Sequence, residues 1–238
     1  MRRVLLLVLV AGCHSDGNDY PVTTGGGGFG GGQPQIADAG VDGGDGGALI
    51  LGRVCLMTDP RDQTSCAATG VGGLVVTLGT ATGTTADDGT FTVGRPSGSN
   101  IVWDVTGSTV LESLTPFTAQ AIIPAMPLGL YAQLEADNGV IAQAGQGAVM
   151  LRVLQAGAPL VGATATITPP TVYGTFYDGS TPATWTANGT GAFGTAWMPG
   201  EVTGTADVTV TPQGGTATTL GAVPIKEAAI TFLTEELP

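Results

Sequence analysis

The side chains able to carry covalent or acid–base chemistry are few and poorly placed for it. His14 is the only histidine, so a Ser-His-Asp or Cys-His relay and any multi-histidine metal site lack their essential member. Paired carboxylates could run glycoside hydrolysis, but Asp87-Asp88 occupies a turn and Glu235-Glu236 a terminal tail. No D-[ST]-G motif of an aspartic protease occurs. The G-x-G-x-x-G matches at Gly25/Gly27/Gly30 and Gly189/Gly191/Gly194 are expected by chance among 40 glycines, and neither precedes a helix whose N-terminus could meet a phosphate. Asp38, Asp42 and Asp45 stand between glycines; a flexible segment would have to be ordered before it could offer Ca²⁺ several oxygens, so they read as solvated linker residues. The chain is therefore expected to be no enzyme and to hold no metal or cofactor.

The cysteines remain. Arg2 and Arg3 precede an apolar run from Val4 to Val10, then Ala11 and Gly12. A run of about seven residues cannot cross a hydrocarbon core that needs roughly 20, so residues 1–12 are expected to be a cleaved signal peptide. Val10-Ala11-Gly12-Cys13 resembles the lipobox of bacterial lipoproteins, which implies palmitate-type acylation at Cys13 and cleavage just before it. His14 in place of Asp after that cysteine is similar to an enterobacterial outer-membrane sorting signal, which implies a lipid anchor in the outer membrane, on its periplasmic or surface face. With Cys13 acylated, Cys55 and Cys66 are left to each other. They flank the polar loop Met57 to Ser65, and a disulfide closing about a dozen residues in an oxidising compartment contributes roughly 3 kcal/mol. The pair brackets a hairpin-like loop, unlike the Cys-x-x-Cys of redox-active sites.

Those residues need a scaffold, and composition limits its kind. The chain has 40 Gly, 15 Pro and 5% aromatic residues, which disfavours long helices. Loss of Arg2 and Arg3 takes seven basic residues to five against 19 acidic ones, a formal −14. Such a surface repels phosphate backbones and anionic headgroups, which excludes nucleic acid as a partner and leaves the lipid as the membrane contact. Residues 13–48 carry the acylated cysteine and then glycines and aspartates with almost no large apolar residue. They are expected to be a disordered linker with an r.m.s. span of roughly 30 Å.

The following 190 or so residues suit two domains, 49–138 and 139–238. Period-2 alternation marks strands with one buried face: Leu74, Val76 and Leu78; Ile101, Trp103 and Val105; Leu128, Leu130, Ala132 and Leu134; Val161, Ala163, Ala165 and Ile167; Ala206, Val208 and Val210; Ala228, Ile230 and Phe232. Short strands between Gly and Pro turns predict an all-β sandwich. An internal repeat sets Gly52-Arg53-Val54 beside Leu151-Arg152-Val153. Gly73-Leu74-Val75-Val76 leads to Thr85 through Phe91 in one half, and Gly162-Ala163-Thr164-Ala165 leads to Thr186-Ala187-Asn188-Gly189 and Phe193 in the other. Asp-Gly and Asn-Gly are hairpin turns after which Phe91 and Phe193 would pack inward.

In these residues the chain resembles the carboxypeptidase regulatory-like family, and its close alternative, the collagen-adhesin B-type repeat. The resemblance implies two tandem seven-stranded Ig/transthyretin-like sandwiches without a catalytic site. Some adhesin repeats carry an isopeptide crosslink; here it would need Lys226, the only lysine, with Asn138 or Asn188, but that lysine lies in the last strand, not the first. A binding patch is expected at Tyr173, Phe176, Tyr177 and Trp185, framed by Pro169-Pro170 and Pro182, where rings could anchor a protein or stack on a polysaccharide or could cap the open end of the core. The function expected is structural or adhesive display at the cell envelope; the alternative is an accessory or docking subunit of an envelope enzyme or secretion machine.

Overall fold

A computed structural model describes residues 48–97, 101–118 and 121–238; the expectations for Cys13, His14 and the linker aspartates lie outside these residues. In chain order the elements are β1 (Leu49–Leu56), β2 (Val75–Leu78), β3 (Ala81–Thr84), β4 (Thr90–Gly94), β5 (Val102–Thr106), β6 (Glu112–Pro116), β7 (Ile122–Ala125) and α1 (Leu128–Asn138), then β8 (Gln146–Gln155), β9 (Ala158–Pro159), β10 (Thr164–Thr168), β11 (Phe176–Asp178), β12 (Trp185–Thr186), β13 (Thr195–Val202), β14 (Gly204–Thr211), β15 (Thr218–Ile225) and β16 (Ala229–Leu237). The alternation in sequence becomes alternation in burial: Val76 and Leu78 are inside while Val75 is exposed, and Ala165 and Ile167 are inside between exposed threonines.

One ten-stranded sheet serves both halves, in the order β12-β11-β13-β8-β16-β6-β5-β2-β3 with β9 hairpinned onto β8. Two three-stranded sheets, β4-β1-β7 and β10-β14-β15, complete the sandwiches. The seam is β16, which runs parallel to β6 on one side and to β8 on the other. Register fixes the faces. Val105 pairs with Ser113, Ser113 with Ile230, and Ile230 with Ala148, so all four point the same way. Val105 belongs to the first core, with Trp103, Val76, Phe91 and Ile123. Ile230 and Ala148 belong to a further core, with Met150, Trp197, Phe232 and Leu134 of α1. The alternate residues Val149, Leu151, Met198 and Leu233 build a third core against β10, β14 and β15. The two small sheets therefore lie on opposite faces of one shared sheet.

The internal repeat is written into the hydrogen bonds. Thr85 Oγ1 accepts from Leu74 N at 2.9 Å and donates to Val71 O at 2.7 Å; Thr190 Oγ1 accepts from Ala163 N at 3.0 Å and donates to Leu160 O at 2.6 Å. Val54 N donates to Gly89 O, and Val153 N to Gly194 O. Gly89 and Gly194 both have positive φ, 80° and 69°, and a Cβ there would press on Val54 O or Val153 O. The partner of Thr85 is thus Thr190, not Thr186, and the partner of Phe91 is the buried Ala196, not Phe193.

Three sequence expectations are corrected. The stretch Leu128–Leu134 is the helix α1, not a strand. It contains no β-branched residue, Leu130, Tyr131 and Leu134 fall on one helical face toward the core, and Gly139 ends it in the left-handed conformation. Phe193 lies in the turn before β13, half-buried beneath the Arg61 guanidinium at 4.7 Å. The Asp88-Gly89 turn joins no hairpin: β3 pairs within the long sheet while β4 pairs with β1.

Cys55 and Cys66 are disulfide-bonded. The loop they close straps the second half to the first: Gln63 Nε2 donates to Met150 O at 3.0 Å and to Leu233 O at 3.2 Å. Arg61 Nη1 donates to Gly179 O, and Thr195 Oγ1 to Arg61 O. Replacing both cysteines with serine is expected to cost about 3 kcal/mol by freeing this loop in the unfolded chain. A urea midpoint identical with and without the bond would refute the strap.

Candidate functional site

The aromatic residues expected to form a patch are only partly brought together. Phe176 pairs in register with Trp197, and its ring lies 5.3 Å from that indole; Trp185 approaches it edge-on at 5.9 Å. Tyr131 of α1 meets it from the other side at 6.2 Å, nearly perpendicular. Tyr173 completes the group through its hydroxyl, which donates to Ile141 O at 2.9 Å and accepts from Ile141 N at 3.2 Å. Tyr177 does not join them. Adjacent strand residues face opposite ways, so Tyr177 enters the opposite core, where its hydroxyl bonds both N and O of Ala165. Trp197, fully buried at the centre, was absent from the expected patch. Its signal was the apolar run Ala196-Trp197-Met198 between turn residues.

Of these rings Tyr131 also lines a groove between α1, the 140–147 segment and the end of the shared sheet. The groove holds about 330 Å³ and is lined by Leu111, Leu128, Tyr131, Ala132, Glu135, Val140, Ile141, Gln146, Gly200 and Ala228. Leu128 and Ile141 stand exposed at its rim. Its walls are apolar, and the side-chain polar groups among them are few. Burial raises the Glu135 carboxyl above the usual glutamate range although the Tyr131 hydroxyl bonds it. Burial, then the neighbouring Glu135 charge, pushes the Tyr131 phenol well above the usual range. The Gln146 Oε1 atom is buried and has no hydrogen-bond partner.

Beyond Gly200, at an irregularity of the β13–β8 ladder between Pro199 and Glu201, Glu201 is 2% exposed. Its Oε1 has no partner, and desolvation alone pushes the carboxyl up to about 7. Lys226 ties the end of β15 to the first half, with its ammonium 2.5 Å from Asp104 Oδ2 and 2.8 Å from Glu112 Oε1. Burial lowers the ammonium's affinity for its proton, but the two carboxylates outweigh this and raise it. Asn138 instead bonds Leu134 O within its own helix. Among the described residues no cluster of three His, Cys, Asp or Glu is arranged to hold a metal, and no helix is long and apolar enough to cross a membrane.

No protein-family model matches the chain, and no curated protein matches it. Among solved structures it is similar to the Bacillus anthracis TIE protein, at 15% identity and a TM-score of 0.25 over 79% of this chain and 33% of that one. The shaft pilin SpaA of Lactobacillus rhamnosus GG gives 13% identity and a TM-score of 0.24 over 80% of this chain and 99% of that one. The major pilin subunit BcpA of Bacillus cereus, as its D312A variant, gives 14% and 0.21 over 69% and 54%. The chain thus spans about a third of the TIE protein it aligns with.

Proposed function

We propose that the chain is a non-catalytic lipoprotein, acylated at Cys13, that displays a pair of fused β-sandwiches for structural or adhesive interaction at the cell envelope and meets its partner through the α1 groove. The observation that carries this reading is the groove itself. Its described lining is mostly aliphatic, with Tyr131 and Glu135 among its few polar side chains, which suits recognition of an apolar-stemmed group. The single sheet through both sandwiches supports it further, because β16 pairs with a strand of each half and so ties the sheet wall of the groove to both. The lipobox residues Val10 to Cys13 support the anchor, and residues 14–48 would then hold the sandwiches away from lipid.

The anchor is tested by intact mass and fractionation. The membrane fraction is expected to contain residues 13–238 plus a diacylglyceryl and an acyl group, and Cys13→Ala should release the protein to the soluble fraction. Persistent membrane association of that variant would sink the lipoprotein reading.

A further inference from the structure

The groove offers hydrogen-bond acceptors in an apolar shell and no cation of its own. Glu135 brings a carboxyl that burial has partly stripped of water. The Tyr131 hydroxyl is already committed to Glu135; Gln146 also lines the groove, but its Oε1 is closed off from solvent. A carboxylate half-removed from water without a paired cation is destabilised, and a cationic donor from outside would relieve it. The chain cannot supply that donor from its described cations. Arg53 bonds the carbonyls of Ala68 and Asp88, Arg61 pairs with Asp59, Arg95 lies over Phe117, and Lys226 holds Asp104 and Glu112. Arg152 is on β8 but does not line the groove. The surroundings repeat the sign: Asp137 follows Glu135 on α1, Glu227 immediately precedes the lining residue Ala228, and the whole chain carries −12.

We infer that the groove receives a lysine or arginine side chain of a partner polypeptide, its methylene stem along Leu111, Leu128 and Val140 and its cationic head at Glu135. The inference rests on the groove being the recognition surface. Lysine and arginine fit because their apolar stem and charged head match a shell that is apolar along its walls and acceptor-bearing at one place. An acyl chain would leave the Glu135 carboxyl unmatched, and an acidic segment would meet it head-on.

The test titrates the full mature chain, by NMR, with three probes of similar size: n-butylguanidinium, 1-pentanol and butyrate. The expected result is that n-butylguanidinium shifts the resonances of Ala132, Ile141 and the Gln146 side chain. Glu135→Gln should weaken this at least about tenfold, while Glu236→Gln, far along the chain and outside the groove, should leave it unchanged. If 1-pentanol shifts the same resonances equally and Glu135→Gln has no effect, the cationic occupant is overturned while the groove stands as an apolar site. If no probe shifts them, the groove fails as a recognition surface and both readings fall. Shifts of the same resonances on raising protein concentration alone would overturn the inference in favour of a second copy of the chain.

Discussion

A chain ending at Glu227, and so lacking β16, is expected to lose cooperative folding in both halves at once. β16 buries Ile230, Phe232 and Leu233 at 6% exposure or less, and it pairs with β6 of the first half and β8 of the second. Removing three large core side chains costs about 2–5 kcal/mol each, which together reaches the whole 5–15 kcal/mol that typically stabilises a domain. The ladder bonds on both sides of the strand are lost as well. Trp103 reports the first core and Trp197 the core beneath α1, so near-ultraviolet circular dichroism and tryptophan emission read the two halves together. Loss of both signals without a thermal transition is the expected outcome. A separate transition with Trp103 still buried would show that the first sandwich stands alone and that the shared sheet is an adjunct rather than the frame.

Glu201→Gln is expected to stabilise the protein above neutral pH and to leave it unchanged in acid. The sign follows from the direction of the shift. Desolvation raises the folded carboxyl from 4.5 to about 7, so the folded state holds a proton that the unfolded chain releases. Below pH 4.5 both states are protonated and the group contributes nothing. As pH rises from 4.5 to 7 the unfolded state ionises first and stability falls, by up to about 3 kcal/mol at 1.36 kcal/mol per pH unit; above 7 the loss is constant. A glutamine cannot ionise, so its variant should lack this slope. Urea unfolding at pH 5 and pH 8 measures it directly. Parallel pH profiles for the two proteins would mean that Glu201 ionises in the folded state without penalty.

How far the sequence could be read depended on whether a signal was local. Strands such as Val75–Leu78 and Thr164–Thr168 were legible because alternate residues met opposite environments, which is a property of the strand itself. The helix α1 was misread because Leu128, Leu130, Ala132 and Leu134 satisfy a two-residue period as well as a helical one. The contrary sign, eleven residues without a β-branched side chain, was the better guide. The repeat was found from Arg53-Val54 and Arg152-Val153 but shifted by four residues at its threonine. Thr186 matched by neighbouring letters, whereas Thr190 matches by the bonds it makes to Ala163 and Leu160. Of the expected aromatic patch, Tyr173, Phe176 and Trp185 gather around a tryptophan that the patch had omitted, while pleating sends Tyr177 to another core.

By itself the sequence determined the all-β class and the duplicated unit, because strand periodicity and turn glycines are written in neighbouring residues, and it pointed to the pairing of Cys55 with Cys66 once the lipobox resemblance set Cys13 aside. Only the tertiary structure decided that β16 joins both halves into one sheet, that Gln63 and Arg61 strap the second half, and that Glu135 and Gln146 share one groove. Those juxtapositions join residues from about ten to 170 positions apart, and the register of a strand against a distant partner depends on the summed packing of both faces. Glu201 shows the same division: its letter is an ordinary surface acid, and only the closure of β13 against β8 removes its water.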